Sequence, residues 1–162
     1  MADKTKIIAQ PGAQELFIIR VFDAPRTDVF KAFSNPEILV RFFAPFDRIM
    51  QFNYHDYQTG GRYSWSNKKG EKTLCTFAGV IHELTSPIRI IQTSEFMELR
   101  EKGNVILEIM TFDELPGDRT KLTIHNICPS LATRDAMINS DMEKGLTDIF
   151  LKLDHLLLNS HH

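Results

Sequence analysis

The stretch that most constrains the fold is the last one, residues 140–159. Apolar side chains recur at Met142, Leu146, Ile149, Leu153 and Leu156, with Phe150 and Leu157 beside them. Steps of four and three residues put them on one face of a helix. Glu143, Lys144, Asp148, Lys152 and Asp154 fall on the other face, where Asp148 can pair weakly with Lys144 or Lys152. A helix of this kind must cover a partner surface. The chain before it reads mostly as strands, so the expected partner is a sheet.

Residues 14–23, QELFIIRVFD, are rich in β-branched and aromatic side chains and read as the first strand. Pro25 starts a short helix over 26–33, and Ser34-Asn35-Pro36 caps a second over 36–42. Strands are expected over 48–53, 62–67, 72–84, 88–97, 104–112 and 119–127. Turn residues such as Gly60-Gly61, Asn67 to Gly70 and Pro116-Gly117 separate them. Within 72–84, Phe77, Gly79 and Ile81 share one face, and Thr76, Ala78, Val80 and His82 the other. A short helix over 131–138 and a break at Asn139-Ser140 precede the closing helix. Successive strands with tight turns make an antiparallel sheet, and segregated helices make the class α+β. One domain is expected over 13–160, with 1–12 as a flexible arm.

The 162 residues carry a net charge of -2 and no clustered Lys or Arg, which argues against nucleic acid as a partner. No apolar run approaches a membrane span, and the N-terminal residues do not form a signal peptide, so a cytoplasmic location is expected. Cys75 and Cys128 form no CxxC and read as reduced thiols. His161 and His162 are assigned no function. Twelve Phe residues are the compositional oddity; they either fill a core or line a greasy cavity.

Several segments, in order, resemble a known family. They are Arg20-Val21-Phe22-Asp23-Ala24-Pro25-Arg26, Val29-Phe30 with Phe33, Asn35-Pro36, Leu39 and Ala44-Pro45. Asp56 with Gly60-Gly61-Arg62 follows, then Phe77-Ala78-Gly79-Val80-Ile81-His82-Glu83 and Pro87-Ile88-Arg89. Arg134-Asp135-Ala136-Met137 and Met142-Glu143-Lys144-Gly145 close the series. Together they resemble the activator-of-Hsp90-ATPase-homologue-like family of the START-like superfamily. Phe42-Phe43 and Leu146 depart from it, standing where tryptophans are common. The resemblance spans nearly the whole chain and implies a helix-grip fold. A curved antiparallel sheet of about six or seven strands would wrap the C-terminal helix, with two short helices after the first strand and a cavity between sheet and helix. Across the superfamily that cavity holds lipids, sterols, polyketides or other apolar molecules, and some members are enzymes. Interaction with Hsp90 is not expected, because the stimulating co-chaperones have a further N-terminal domain and a motif absent from this sequence.

Chemistry is harder to find. No metal-binding or nucleophile motif occurs, and no cofactor is expected. His55-Asp56 are adjacent and point to opposite faces of a strand. His155 is expected in solvent, while His82 and His125 lie on strands. Glu83, Glu95, Glu98 and Glu108 are spread over three strands; alternation does not say which of them points inward. An inward carboxylate would have a raised pKa. Arg20 lies mid-strand in an apolar run and is expected to be buried, in a salt bridge or against a ligand's acidic head. Gly79 reads as a bend, with a ligand's approach to the backbone as the alternative, and Gly145 as either close helix packing or a cavity mouth.

The leading expectation is a binding module for a small apolar, amphipathic or lipid-like ligand. Phe43, Tyr63, Trp65, Phe77, Phe96, Phe150, Arg20 and His82 are its candidate contacts. A cyclase- or hydrolase-type enzyme using the same cavity and a protein-interaction domain are the alternatives. A homodimer is left open.

Overall fold

The computed structural model describes residues 5–159. Its order is β1 (Lys6–Ile8), β2 (Glu15–Phe22), α1 (Arg26–Ser34), α2 (Pro36–Leu39), β3 (Ile49–His55) and β4 (Arg62–Lys69). Then come β5 (Lys72–Thr85), β6 (Arg89–Phe96), β7 (Val105–Leu115), β8 (Arg119–Ile127), α3 (Leu131–Ile138) and α4 (Met142–Asn159). Among the described residues the strands form one antiparallel sheet in the order β1-β2-β8-β7-β6-β5-β4-β3. The two strands farthest apart in the central chain order, β2 and β8, meet side by side. This open sheet with a C-terminal helix is the helix-grip fold.

There are eight strands rather than six or seven. The extra one is β1, which falls in the expected flexible arm and pairs with β2 through Ile7 and Ile18. Ile7 and Ala9 pack on the core, which gives this short segment a reason to order. Residues 1–4 of that arm, and His161 and His162, lie outside the described residues. The second short helix ends at Leu39 rather than 42, and Ala44-Pro45 follow in a tight loop. The closing helix begins at Met142, because Asp141 takes a φ of 59° that a continuous helix does not accommodate.

Register shifts bend the sheet within β3 between Phe52 and Tyr54, between β4 and β5 at Asn67/Lys68, and between β5 and β6 at Ile81/Glu83. Gly79 also allows a close approach of the neighbouring strand. A Cβ on it would lie 1.9 Å from the Thr93 carbonyl oxygen and 2.9 Å from the Tyr63 hydroxyl. That hydroxyl donates to the same Thr93 oxygen at 2.5 Å.

The core sits where α1 and the second half of α4 pack on β2, β7 and β8. Phe30, Phe33, Phe42 and Phe112 stack edge to face or tilted, with centroids 5.1–5.8 Å apart. Phe22 and Phe150 meet edge to face at 5.5 Å. No helix among the described residues is long and apolar enough to cross a membrane.

Candidate functional site

The interior is not filled throughout. A cavity of about 760 Å³ lies between the inner face of the sheet and the first half of α4. Its sheet wall comes from residues two apart on each strand: Tyr63, Trp65 and Asn67 on β4, Cys75 and Phe77 on β5, Gln92 and Ser94 on β6. Glu108 and Met110 on β7, and Ile124 and Asn126 on β8, continue it. This is the two-residue period of a strand presenting one face. Met142, Gly145, Leu146 and Ile149 form the helix wall at the spacing of one helical face. Phe33, Leu39, Phe43 and Tyr57 complete the enclosure.

The amphipathic stripe of α4 therefore does two jobs. Its first half roofs the cavity, while Phe150, Leu153 and Leu157 are buried in the packed core. Gly145 lies in the roof. A Cβ there would meet only Pro45 Cγ, at 3.9 Å, so Gly145 is not a point of close packing. The loop opposite is fastened to the helix. Lys152 Nζ donates to the carbonyls of Ala44 at 2.6 Å and Pro45 at 3.1 Å, and the Phe46 amide donates to Asp148 Oδ2 at 3.3 Å. Burial lowers the Lys152 pKa, with Asp148 and Asp47 opposing the shift. Phe46 stands at this rim with 59% of its surface exposed.

The wall is aromatic on one side and polar on the other. Trp65 stacks on Phe77 at 4.7 Å, and Phe43 meets Trp65 edge-on at 5.5 Å. Across the sheet Gln92, Glu108 and Asn126 are successive register partners, so they form one polar row. Gln92 Nε2 donates to Glu108 Oε1 at 3.0 Å. Burial pushes the Glu108 carboxyl well above its ordinary range, against the opposing pull of that hydrogen bond. Glu108 is half-buried and lines the cavity. Tyr57 and Tyr63 are likewise held protonated, first by burial and then by the charge of Glu108. Asn126 is 2% exposed, and its Oδ1 has no hydrogen-bond partner. Burial also raises the Cys75 thiol; both cysteines are free.

Of the eight candidate contacts, Phe43, Tyr63, Trp65 and Phe77 line this space. The other four do not. His82 is exposed on the outer face, as its alternation with Phe77 along β5 requires. Phe96 packs on Phe77 at 5.4 Å and supports the wall from beyond it. Phe150 belongs to the core. Arg20 points inward but is consumed by Asp154 of α4, at 2.6 and 3.1 Å, so the salt bridge is the role it fills. Asp154, assigned by periodicity to the solvent face, is only 25% exposed. Among the four carboxylates weighed, Glu83 pairs with Arg89, Glu95 and Glu98 accept from backbone amides of Gly103 and Thr76, and Glu108 alone faces inward. His125 stacks on Phe17 at 4.2 Å and faces Glu15, and His155 is exposed. Among the described residues no group of three or more His, Cys, Asp or Glu is placed to hold a metal ion.

Solved structures share this architecture at low identity. A crystal structure of a Mycobacterium smegmatis protein is 19% identical, with a TM-score of 0.85 over 99% of this chain and 100% of that one. A solution structure from Arthrobacter aurescens is 18% identical, with a TM-score of 0.81 over 94% and 90%. The AHSA1 protein from Silicibacter pomeroyi is 18% identical, with a TM-score of 0.71 over 91% and 99%. No curated protein sequence matches the chain. Residues 23–158 match the family described as "Activator of Hsp90 ATPase homolog 1-like protein". From the first short helix to the last turns of the roof, that span holds almost every wall of the cavity, and the chain belongs to this family.

Proposed function

We propose that the protein binds one small, largely apolar molecule in the cavity beneath α4. The observation that carries this reading is the unfilled space of about 760 Å³, within the range of small-molecule sites, beside a packed core in the same fold. Trp65, Phe77, Phe43 and Leu146 offer apolar surface to a guest, and burial at about 25 cal/mol per Å² supplies affinity. A few polar groups in one row set its orientation. An enzymatic use of the same space draws less support. Glu108 is its inward carboxyl, and the hydrogen-bond partner beside it is the amide of Gln92, which does not exchange protons as a general base would.

Trp65 is the chain's single tryptophan and lines the cavity, so its fluorescence reports occupancy. Titration with the neutral apolar dye N-phenyl-1-naphthylamine is expected to change Trp65 emission saturably, with one dye per chain. A linear, non-saturating response would contradict the reading.

A further inference from the structure

The polar row inside the cavity has an unusual chemical bias. Glu108 is a carboxyl group facing the space from the middle of β7, and Gln92 Nε2 is the one donor it meets among the described residues. No Lys, Arg or His among the described residues pairs with it. A carboxylate turned into an apolar cavity is unfavourable unless a cation joins it. Its register partner Asn126 stands on the same face one strand away, where facing side chains have Cβ atoms about 4.5–5.5 Å apart. Asn126 borders the same cavity, and its amide oxygen is buried beneath that wall and unpartnered. An unmade hydrogen bond at such a place costs stability. Glu108, with one donor and no cation, thus lies beside an unpartnered amide oxygen. Tyr57, Tyr63 and Trp65 add aromatic surface to the same enclosure.

We propose that the guest carries a protonated amine on its buried end, seated against Glu108, with its apolar body against the Trp65 and Phe77 rings. The proposal rests on the cavity-binding reading and narrows it to one ligand class. An ammonium has three donors and no acceptor, so it can serve the carboxylate without bringing a lone pair that needs a donor. Its charge compensates Glu108, and the aromatic walls attract a cation further. A hydroxyl brings one donor and lone pairs that need donors in turn. A carboxylate would face Glu108 with like charge.

Three probes of one shape test this: 4-phenylbutylamine, 4-phenyl-1-butanol and 4-phenylbutyrate, each competing with N-phenyl-1-naphthylamine on the full chain. The amine is expected to bind about tenfold tighter than the alcohol or better, and the acid more weakly than either. In Glu108→Gln the amine's advantage over the alcohol should be lost, with the dye still bound as a check of folding. Equal or tighter binding of the alcohol or the acid to the parent protein would overturn the proposal, whatever the variant does. So would an amine preference that survives in Glu108→Gln. If the dye binds and the amine does not displace it, the amine proposal fails while the cavity reading stands. If the dye itself does not bind, both fall.

Discussion

Arg20 on β2 and Asp154 on α4 form a two-pronged ion pair, Nη2 to Oδ2 at 2.6 Å and Nη1 to Oδ1 at 3.1 Å, across the seam between sheet and closing helix. Arg20 is 3% exposed, its guanidinium lies 4.8 Å from the Phe22 ring centroid, and Nη1 also donates to the Val21 carbonyl at 2.8 Å. The pair fixes the packed half of α4, from which the cavity roof projects. Asp154→Ala leaves this cation buried without its partner and should destabilise the fold by about 3 kcal/mol in urea unfolding. The double variant Arg20→Met with Asp154→Leu should regain most of that loss, because it removes the charge as well. A single variant within about 0.5 kcal/mol of the parent would show that the pair behaves as a surface contact.

Gly79→Ala should destabilise by about 1–3 kcal/mol or more. The added methyl meets the Thr93 carbonyl of the neighbouring strand, which is backbone and cannot swing aside. Hydrogen exchange should quicken at β5 and β6 together. Unchanged stability would mean the two strands lie farther apart than described here.

Gly145→Ala should have the opposite sign. The site is helical and has space, so the substitution gains up to about 1 kcal/mol of helix propensity without a clash. A large side chain there should slow ligand association while leaving stability near that of the parent, since it narrows the mouth against Pro45. Stopped-flow Trp65 fluorescence with the neutral dye would read the rate; an unchanged rate would place the mouth elsewhere.

Glu108→Gln should raise stability at neutral and alkaline pH and less so in acid. The carboxyl's pKa lies above its ordinary 4.5 in the folded chain, so folded protein keeps a proton that unfolded chain releases. Stability present below that ordinary value is lost as pH climbs through the folded one. Glutamine does not titrate, so the gain of the variant over the parent widens with pH and then levels off. Tyr57 and Tyr63, which face Glu108, stay protonated across this range, and Gln92 has no charge to change. Melting temperatures at roughly pH 4 and roughly pH 8 would test the sign. An equal gap at both would contradict a buried, neutral carboxyl.

Much of this architecture was legible in the chain because strand and helix periods are strong signals. Tyr63, Trp65 and Phe77 were readable as inward from alternation. The same alternation places His82 opposite Phe77, and the resemblance to a cavity-bearing family did not change that geometry. Glu108 was harder. In β7, Leu107 and Ile109 on one parity are as apolar as Ile106 and Met110 on the other, so pattern alone does not choose the inner face. For α4 the period gave a direction around the axis and nothing about position along it. That is why Leu146 over the cavity and Phe150 in the core looked alike. Asp154 was misassigned for a related reason: its partner is a residue 134 positions away, invisible to a pattern within one helix.

Methionine methyl groups provide the most direct test of the central claim. Met110, Met137 and Met142 line the cavity, whereas Met50 and Met97 do not. Methyl-labelled protein titrated with N-phenyl-1-naphthylamine in an NMR experiment should show saturable shifts at the first three and little change at the other two. Shifts confined to Met50 or Met97, or spread evenly over all five, would contradict a guest bound between the sheet and α4.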